Sequence, residues 1–173
     1  MYKWIKKELE KNKFKVILPE MPNTKKPEIE SWVNKVSEVI SNENNFYFIG
    51  HSIGRQTILR FIEKSDVKVK GLILIAPWIN LNQKTLEEEG EETKEIAKPW
   101  IETPIDFKKI KSKANNLVCI FSDNDPYVPL SDLKIFKENL GAKIIIENNK
   151  GHFNEAKNQT AVSELLKLKK EKN

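Results

Sequence analysis

The stretch Phe46-Tyr47-Phe48-Ile49-Gly50-His51-Ser52-Ile53-Gly54 decides how the rest of the chain reads. Four consecutive apolar residues with no polar face describe a central parallel strand covered by helices on both sides. Directly after it the pattern turns helical, with Ile58, Leu59 and Ile62 facing inward. This places a Gly-x-Ser-x-Gly pentapeptide on a sharp strand-to-helix turn, the setting that separates a reactive serine from a chance match. Glycines at 50 and 54 bring no side chains into the turn, and Ser52 is expected at its apex, on the carboxyl edge of the sheet. The backbone N–H of Ile53, at the start of the helix, is the candidate donor to a developing oxyanion.

Outward from this point, strands and helices alternate. Trp4, Ile5 and Leu9 share one face of a helix over 2–12, and Phe14 to Leu18 reads as a short strand ending at Pro19. Ile29, Trp32, Val33, Val36 and Ile40 give an amphipathic helix over 28–41, which leads through Asn42 to Asn45 into the strand at 46–49. Gly71 to Ala76 is a second strand apolar on both faces, followed by a polar connection from 80 to about 113. Leu117 to Phe121 is the next strand, 132–139 a helix, 143–146 a strand, and 155–169 the final helix. The expected class is α/β, a three-layer sandwich with a mainly parallel sheet of about five strands, in one domain spanning 1–173.

Composition agrees with a globular chain. Of 173 residues 39% are hydrophobic, and no apolar run approaches the roughly 20 residues that cross a bilayer. The N-terminus intersperses charge with apolar residues and does not read as a secretory signal, so a cytoplasmic, soluble protein is expected. The 30 Lys+Arg exceed the 25 Asp+Glu, giving +5. These cations are scattered over helix surfaces and the tail from Lys167 to Lys172 with no aromatic-interleaved basic strand, so neither nucleic acid nor membrane is an expected partner. The acidic run 87–92 reads as solvated surface, and Cys119, the single cysteine, as a small buried thiol.

A serine hydroxyl needs a base, and the chain has two histidines. His51 precedes Ser52 directly and should point to the opposite side, packing under the turn. His152, in Lys150-Gly151-His152-Phe153 between the last strand and last helix, is the candidate base. The third member is a carboxylate lying between serine and histidine in chain order. Two aspartates compete in Ser122-Asp123-Asn124-Asp125-Pro126-Tyr127-Val128-Pro129. Asp125 is favoured because Pro126 biases it to an extended backbone; Asp123 would then be a turn former bonding its own loop. The connection 80–113 should lie near the active-site edge, making Trp78, Trp100 and Phe107 candidates for a substrate pocket, with ordinary packing as the competing reading.

The strings GHSIG, DPYVP from Asp125 and GHF at 151–153 together resemble the α/β-hydrolase superfamily, and more closely its small serine hydrolases around retinoblastoma-binding protein nine. Trp4 to Glu10, Lys98-Pro99-Trp100 and Asp106 to Ile110 extend the likeness over nearly the whole chain. The resemblance implies Ser52 as nucleophile, Asp125 as acid and His152 as base, with no metal or organic cofactor. It also implies a departure. Family members begin with a central strand and a Gly-rich loop supplying a second oxyanion N–H, whereas here Met1 already lies at the first helix. The chain is therefore expected to be N-terminally incomplete relative to the family and impaired in catalysis, since one oxyanion donor is worth about 100- to 1000-fold in turnover. The leading expectation is hydrolysis of a small carboxylic ester, thioester or amide through an acyl-enzyme on Ser52; the alternative is a hydrolase-fold binding or scaffold protein.

Overall fold

Leu72, Ile73, Leu74 and Ile75 have no solvent exposure on either face of their strand, and Val118 to Phe121 beside them have almost none. This double burial is what their uninterrupted apolar run requires. The computed structural model describes residues 1–40 and 46–170. In order, it forms α1 (Tyr2–Lys11), α2 (Ile29–Val39), β1 (Phe46–His51), α3 (Ile53–Lys64), β2 (Val69–Ile75), α4 (Gln83–Glu89), α5 (Glu91–Glu102) and α6 (Phe107–Lys113). Then come β3 (Leu117–Ser122), α7 (Asp132–Leu140), β4 (Lys143–Glu147) and α8 (Gln159–Lys170). The expected connection at 42–45 and the last residues of the tail, 171 and 172, lie outside the described residues.

All strand pairs are parallel and the sheet order follows the chain, β1-β2-β3-β4. Right-handed crossovers in one direction put the connecting helices α3, α6 and α7 on a common face. These three touch in series, α2 packs on α3, and α1 packs with α8, which lies against β2. The α/β three-layer class is as expected. No helix among the described residues is long and apolar enough to cross a membrane.

Two expectations about the sheet need correction. Residues 14–18 join no ladder, so among the described residues there are four strands instead of about five. Phe14 meets Tyr47 edge to face with ring centroids 5.8 Å apart. Between this segment and β1, however, lies a cavity of about 730 Å³ lined by both, so the two backbones do not pair. In consequence β1 is an edge strand whose Phe46 to Ile49 are only half-buried, and not the central strand its apolar run predicted.

The connection 80–113 is largely helical. Asn82 and Asp106 cap α4 and α6, their side chains accepting from the N–H of Lys84 at 3.2 Å and of Lys109 at 3.0 Å. The end of α5 is held by buried Arg60, which donates to the carbonyls of Trp100 at 3.0 Å and Thr103 at 2.8 Å. Leu86, Ala97, Trp100 and Ile110 anchor these helices in the interior. Glu87 to Glu89, Glu91 and Glu92 are exposed, as the acidic run implied. Cys119 is fully buried.

Candidate active site

Ser52 sits between β1 and α3 with φ 51° and ψ −121°, a conformation that L residues rarely adopt. It persists because its surroundings over-determine it. The Ser52 N–H donates to the carbonyl of Ile75 on β2 at 3.1 Å, and its own carbonyl receives the N–H of Arg55 at 3.1 Å. One residue earlier, the His51 N–H donates to the hydroxyl of Tyr2 at 2.8 Å, tying α1 to the turn. Burial pushes the Tyr2 phenol up to about 12.

The two glycines are not equivalent. A Cβ on Gly50 would stand 2.7 Å from Arg55 Cα and 2.8 Å from Arg55 N, both backbone atoms of α3. On Gly54 it would meet only the Tyr2 hydroxyl, at an ordinary 3.4 Å. The expectation that both are needed to avoid a clash thus holds for Gly50 alone. Gly50→Ala is expected to cost about 1–3 kcal/mol or more by forcing α3 off the strand. Gly54→Ala should be neutral or stabilising by up to about 1 kcal/mol, because alanine is the better helix former. Thermal unfolding of the two variants checks the contrast, and equal losses would refute it.

Three distant segments meet at Ser52. His152 Nε2 lies 3.0 Å from Ser52 Oγ, and His152 Nδ1 lies 2.8 Å from Asp125 Oδ2 and 3.1 Å from Oδ1. The Asp125 side chain is 1% exposed and that of His152 13%, so solvent barely competes for their bond. Asp125 is also fixed from its own loop, Oδ1 accepting from the N–H of Tyr127 at 2.9 Å and of Val128 at 3.1 Å. A carboxylate facing Nδ1 makes that nitrogen the protonated one, which leaves Nε2 as the acceptor toward Ser52.

Asp123 does not bond its own loop as expected. Its Oδ1 accepts from the N–H of Asn149 at 2.8 Å, on the loop that carries the histidine. Ser122 and Asn124 act in the same way. Ser122 Oγ accepts from the N–H of Lys150 at 3.0 Å, and Asn124 Oδ1 from that of Gly151 at 2.8 Å. His51 does not pack away under the turn as expected: its ring stands 4.9 Å from that of His152, and its Nε2–H donates to the His152 carbonyl at 2.8 Å. Burial, reinforced by the nearby His152, lowers His51 to about 4, so at neutral pH it is uncharged; its hydrogen-bond partner is the His152 backbone, not Ser52. Sequence reasoning missed these supports for the His152 loop. The only signal for them was the density of short polar side chains in Ser122-Asp123-Asn124.

Of the three pocket candidates only Trp78 reaches the serine, its indole N–H donating to Ser52 Oγ at 3.3 Å. Trp100 is 1% exposed, packs edge to face on Trp32 and donates to the carbonyl of Pro27 at 3.0 Å. Phe107 packs edge to face on Phe136. Both are core residues, because Trp100 on α5 packs against Trp32 of α2 and Arg60 of α3, and α6 packs on α3 and α7. At the start of the 80–113 connection, α4 is tethered to the Asp125 loop: Asn82 N–H donates to the Tyr127 carbonyl at 2.8 Å and the Tyr127 hydroxyl to Glu89 at 2.7 Å. The Tyr127 ring stands 4.9 Å from the His152 imidazole.

Residues 2–169 match the serine hydrolase family as a unit. The chain belongs to that family. As a serine hydrolase it is an enzyme of ester or amide bonds. It is 27% identical over 164 residues to YdeN of Bacillus subtilis, covering 93% of this chain and 82% of that one. To the serine hydrolase RBBP9 of Rattus norvegicus it is 25% identical over 170 residues, 98% of this chain and 84% of the relative. The crystal structure of the B. subtilis ydeN gene product superposes with a TM-score of 0.82 at 24% identity, over 98% of this chain and 90% of that one. A structure from a study of Nitrososphaera gargenis carboxylesterases gives 0.69 at 13% identity, over 98% and 86% of the two chains. At these identities the two structures speak for the fold of the serine hydrolase, not for its substrate.

Proposed function

We propose that this serine hydrolase cleaves a small carboxylic ester, thioester or amide through an acyl-enzyme on Ser52, with His152 as general base and acid and Asp125 as its orienting partner. The observation that carries the reading is the unbroken line Asp125, His152, Ser52, at 2.8 Å and 3.0 Å. Ser52 Oγ attacks the carbonyl carbon as its proton passes to His152 Nε2, and the buried carboxylate of Asp125 stabilises the imidazolium. The N–H of Ile53, at the head of α3 where no intrahelical acceptor exists, donates to the oxyanion. Collapse breaks the bond to the leaving group, which takes the proton from His152. Water then attacks the acyl carbon by the same route and frees Ser52. This chemistry needs no metal and no organic cofactor, and its partner is a small acyl substrate.

A fluorophosphonate probe tests the reading, because it captures only an activated serine. Wild-type protein should be labelled covalently and Ser52→Ala should not. Absence of labelling in the wild type would favour a hydrolase fold kept for binding; labelling that survives Ser52→Ala would place the nucleophile elsewhere.

A further inference from the structure

A tryptophan N–H is a donor only, and when buried it seeks an acceptor. Trp32 and Trp100 find theirs in inert backbone carbonyls, of Pro22 at 2.7 Å and Pro27 at 3.0 Å. Trp78, 2% exposed, finds its acceptor in Ser52 Oγ. A buried indole that donates to the reacting oxygen has consequences that a packing residue lacks. The Ser52 hydroxyl carries one proton, and with Trp78 donating to Oγ from one side that proton is left to point at His152 Nε2, 3.0 Å away on the other.

The loop that carries Trp78 is held by an uncommon concentration of buried polar groups. Arg55, fully buried, donates to the Trp78 carbonyl, which also receives the amide of Gln56 at 3.2 Å. Asp132, also fully buried, accepts from the N–H of Ile79 at 2.6 Å and of Asn80 at 2.8 Å, and from the Asn80 amide at 2.7 Å. The Arg55 guanidinium lies 5.2 Å from the centre of the Trp78 ring, against its bicycle. Such groups are costly to bury, and here they converge on residues 78–80. Shape alone would not need them, since apolar contacts position an indole plane without specifying where its N–H points.

We propose that Trp78 is a catalytic residue: its indole N–H orients the Ser52 hydroxyl for attack and stabilises Oγ as the leaving oxygen when the acyl-enzyme is hydrolysed. The proposal rests on the acyl-enzyme reading above. In the second half-reaction water adds to the acyl carbon and gives its proton to His152. The bond from that carbon to Ser52 Oγ then breaks, the electron pair goes to Oγ, and His152 returns the proton to it. Negative charge grows on Oγ in this step, so a donor there matters most in deacylation.

The test replaces Trp78 with β-(3-benzothienyl)alanine, which keeps the bicycle and exchanges the N–H for sulfur, and in parallel makes Trp78→Phe. The substrate is p-nitrophenyl acetate, followed by its product burst and by breakdown of the acyl-enzyme. The expected result for both variants is deacylation about tenfold slower than wild type, a larger accumulated acyl-enzyme, and fluorophosphonate labelling slowed by less than about threefold. A role in packing alone would move Tm and KM in Trp78→Phe and leave the deacylation constant of the benzothienyl variant at the wild-type value; that result overturns the proposal. Wild-type protein showing neither burst nor labelling would remove the acyl-enzyme reading itself, and the proposal with it.

Discussion

Asp125→Asn is expected to turn over p-nitrophenyl acetate about 10⁴-fold more slowly than wild type while folding normally. The reason lies in which oxygen does what. Asp125 Oδ1 receives the N–H groups of Tyr127 and Val128, and Oδ2 stands 2.8 Å from His152 Nδ1. An asparagine must keep its oxygen on the two backbone donors, so its NH₂ falls where Oδ2 was. Nδ1 then becomes an acceptor, the imidazole proton moves to Nε2, and the ring has no lone pair left on that nitrogen to take the Ser52 proton. The loop keeps its hydrogen bonds, which is why Tm should change little. A loss of less than about tenfold in kcat would mean that Asp125 does not set the tautomer.

Asp132→Ala should have the largest effect on stability, about 3–5 kcal/mol, with Tm falling by roughly 10 °C. Asp132 accepts three hydrogen bonds at 2.6–2.8 Å and has no exposure to water. Its removal strands the N–H groups of Ile79 and Asn80 in the interior. It also removes a countercharge from Arg55, which burial already depresses to about 9 while Asp132 opposes the shift. Urea denaturation of wild type and variant measures the difference, and a loss below about 1 kcal/mol would show that water reaches the cluster. Asp132→Asn, which keeps one acceptor, should lose less.

Much of this could be read before any coordinates. Gly50 to Gly54 after a both-faces-apolar strand located the turn, and the order serine, aspartate, histidine located the line of three. Pro126 favoured Asp125 over Asp123 on backbone grounds, and the hydrogen bonds give the two residues separate tasks, Asp125 toward the imidazole and Asp123 toward the Asn149 backbone.

What stayed hidden has physical reasons. A run such as Phe46 to Ile49 looks alike whether its second side meets a strand or a cavity, so the edge position of β1 was not legible. Residues 14–18 have strand-like composition, but a strand exists only with a neighbour to pair with. Trp78, Trp100 and Phe107 are equally aromatic, and which of them faces the serine depends on helices whose directions are set by tertiary contacts. The tasks of Arg55 and Asp132 were invisible for a related reason: a charge buried by partners 23 and 53 residues distant is written like any charge on a helix surface.

The strand order β1-β2-β3-β4 also bears on how the protein acquires its competence. Each strand in chain order takes the next position in the sheet, so consecutive β-units are neighbours in space. Ser52 stands beyond the first strand, Asp125 beyond the third, and His152 beyond the fourth, a hundred residues from Ser52. The line of three therefore exists only when the segment after β4 is docked against the turn after β1, so labelling of Ser52, where it occurs, would report that docking.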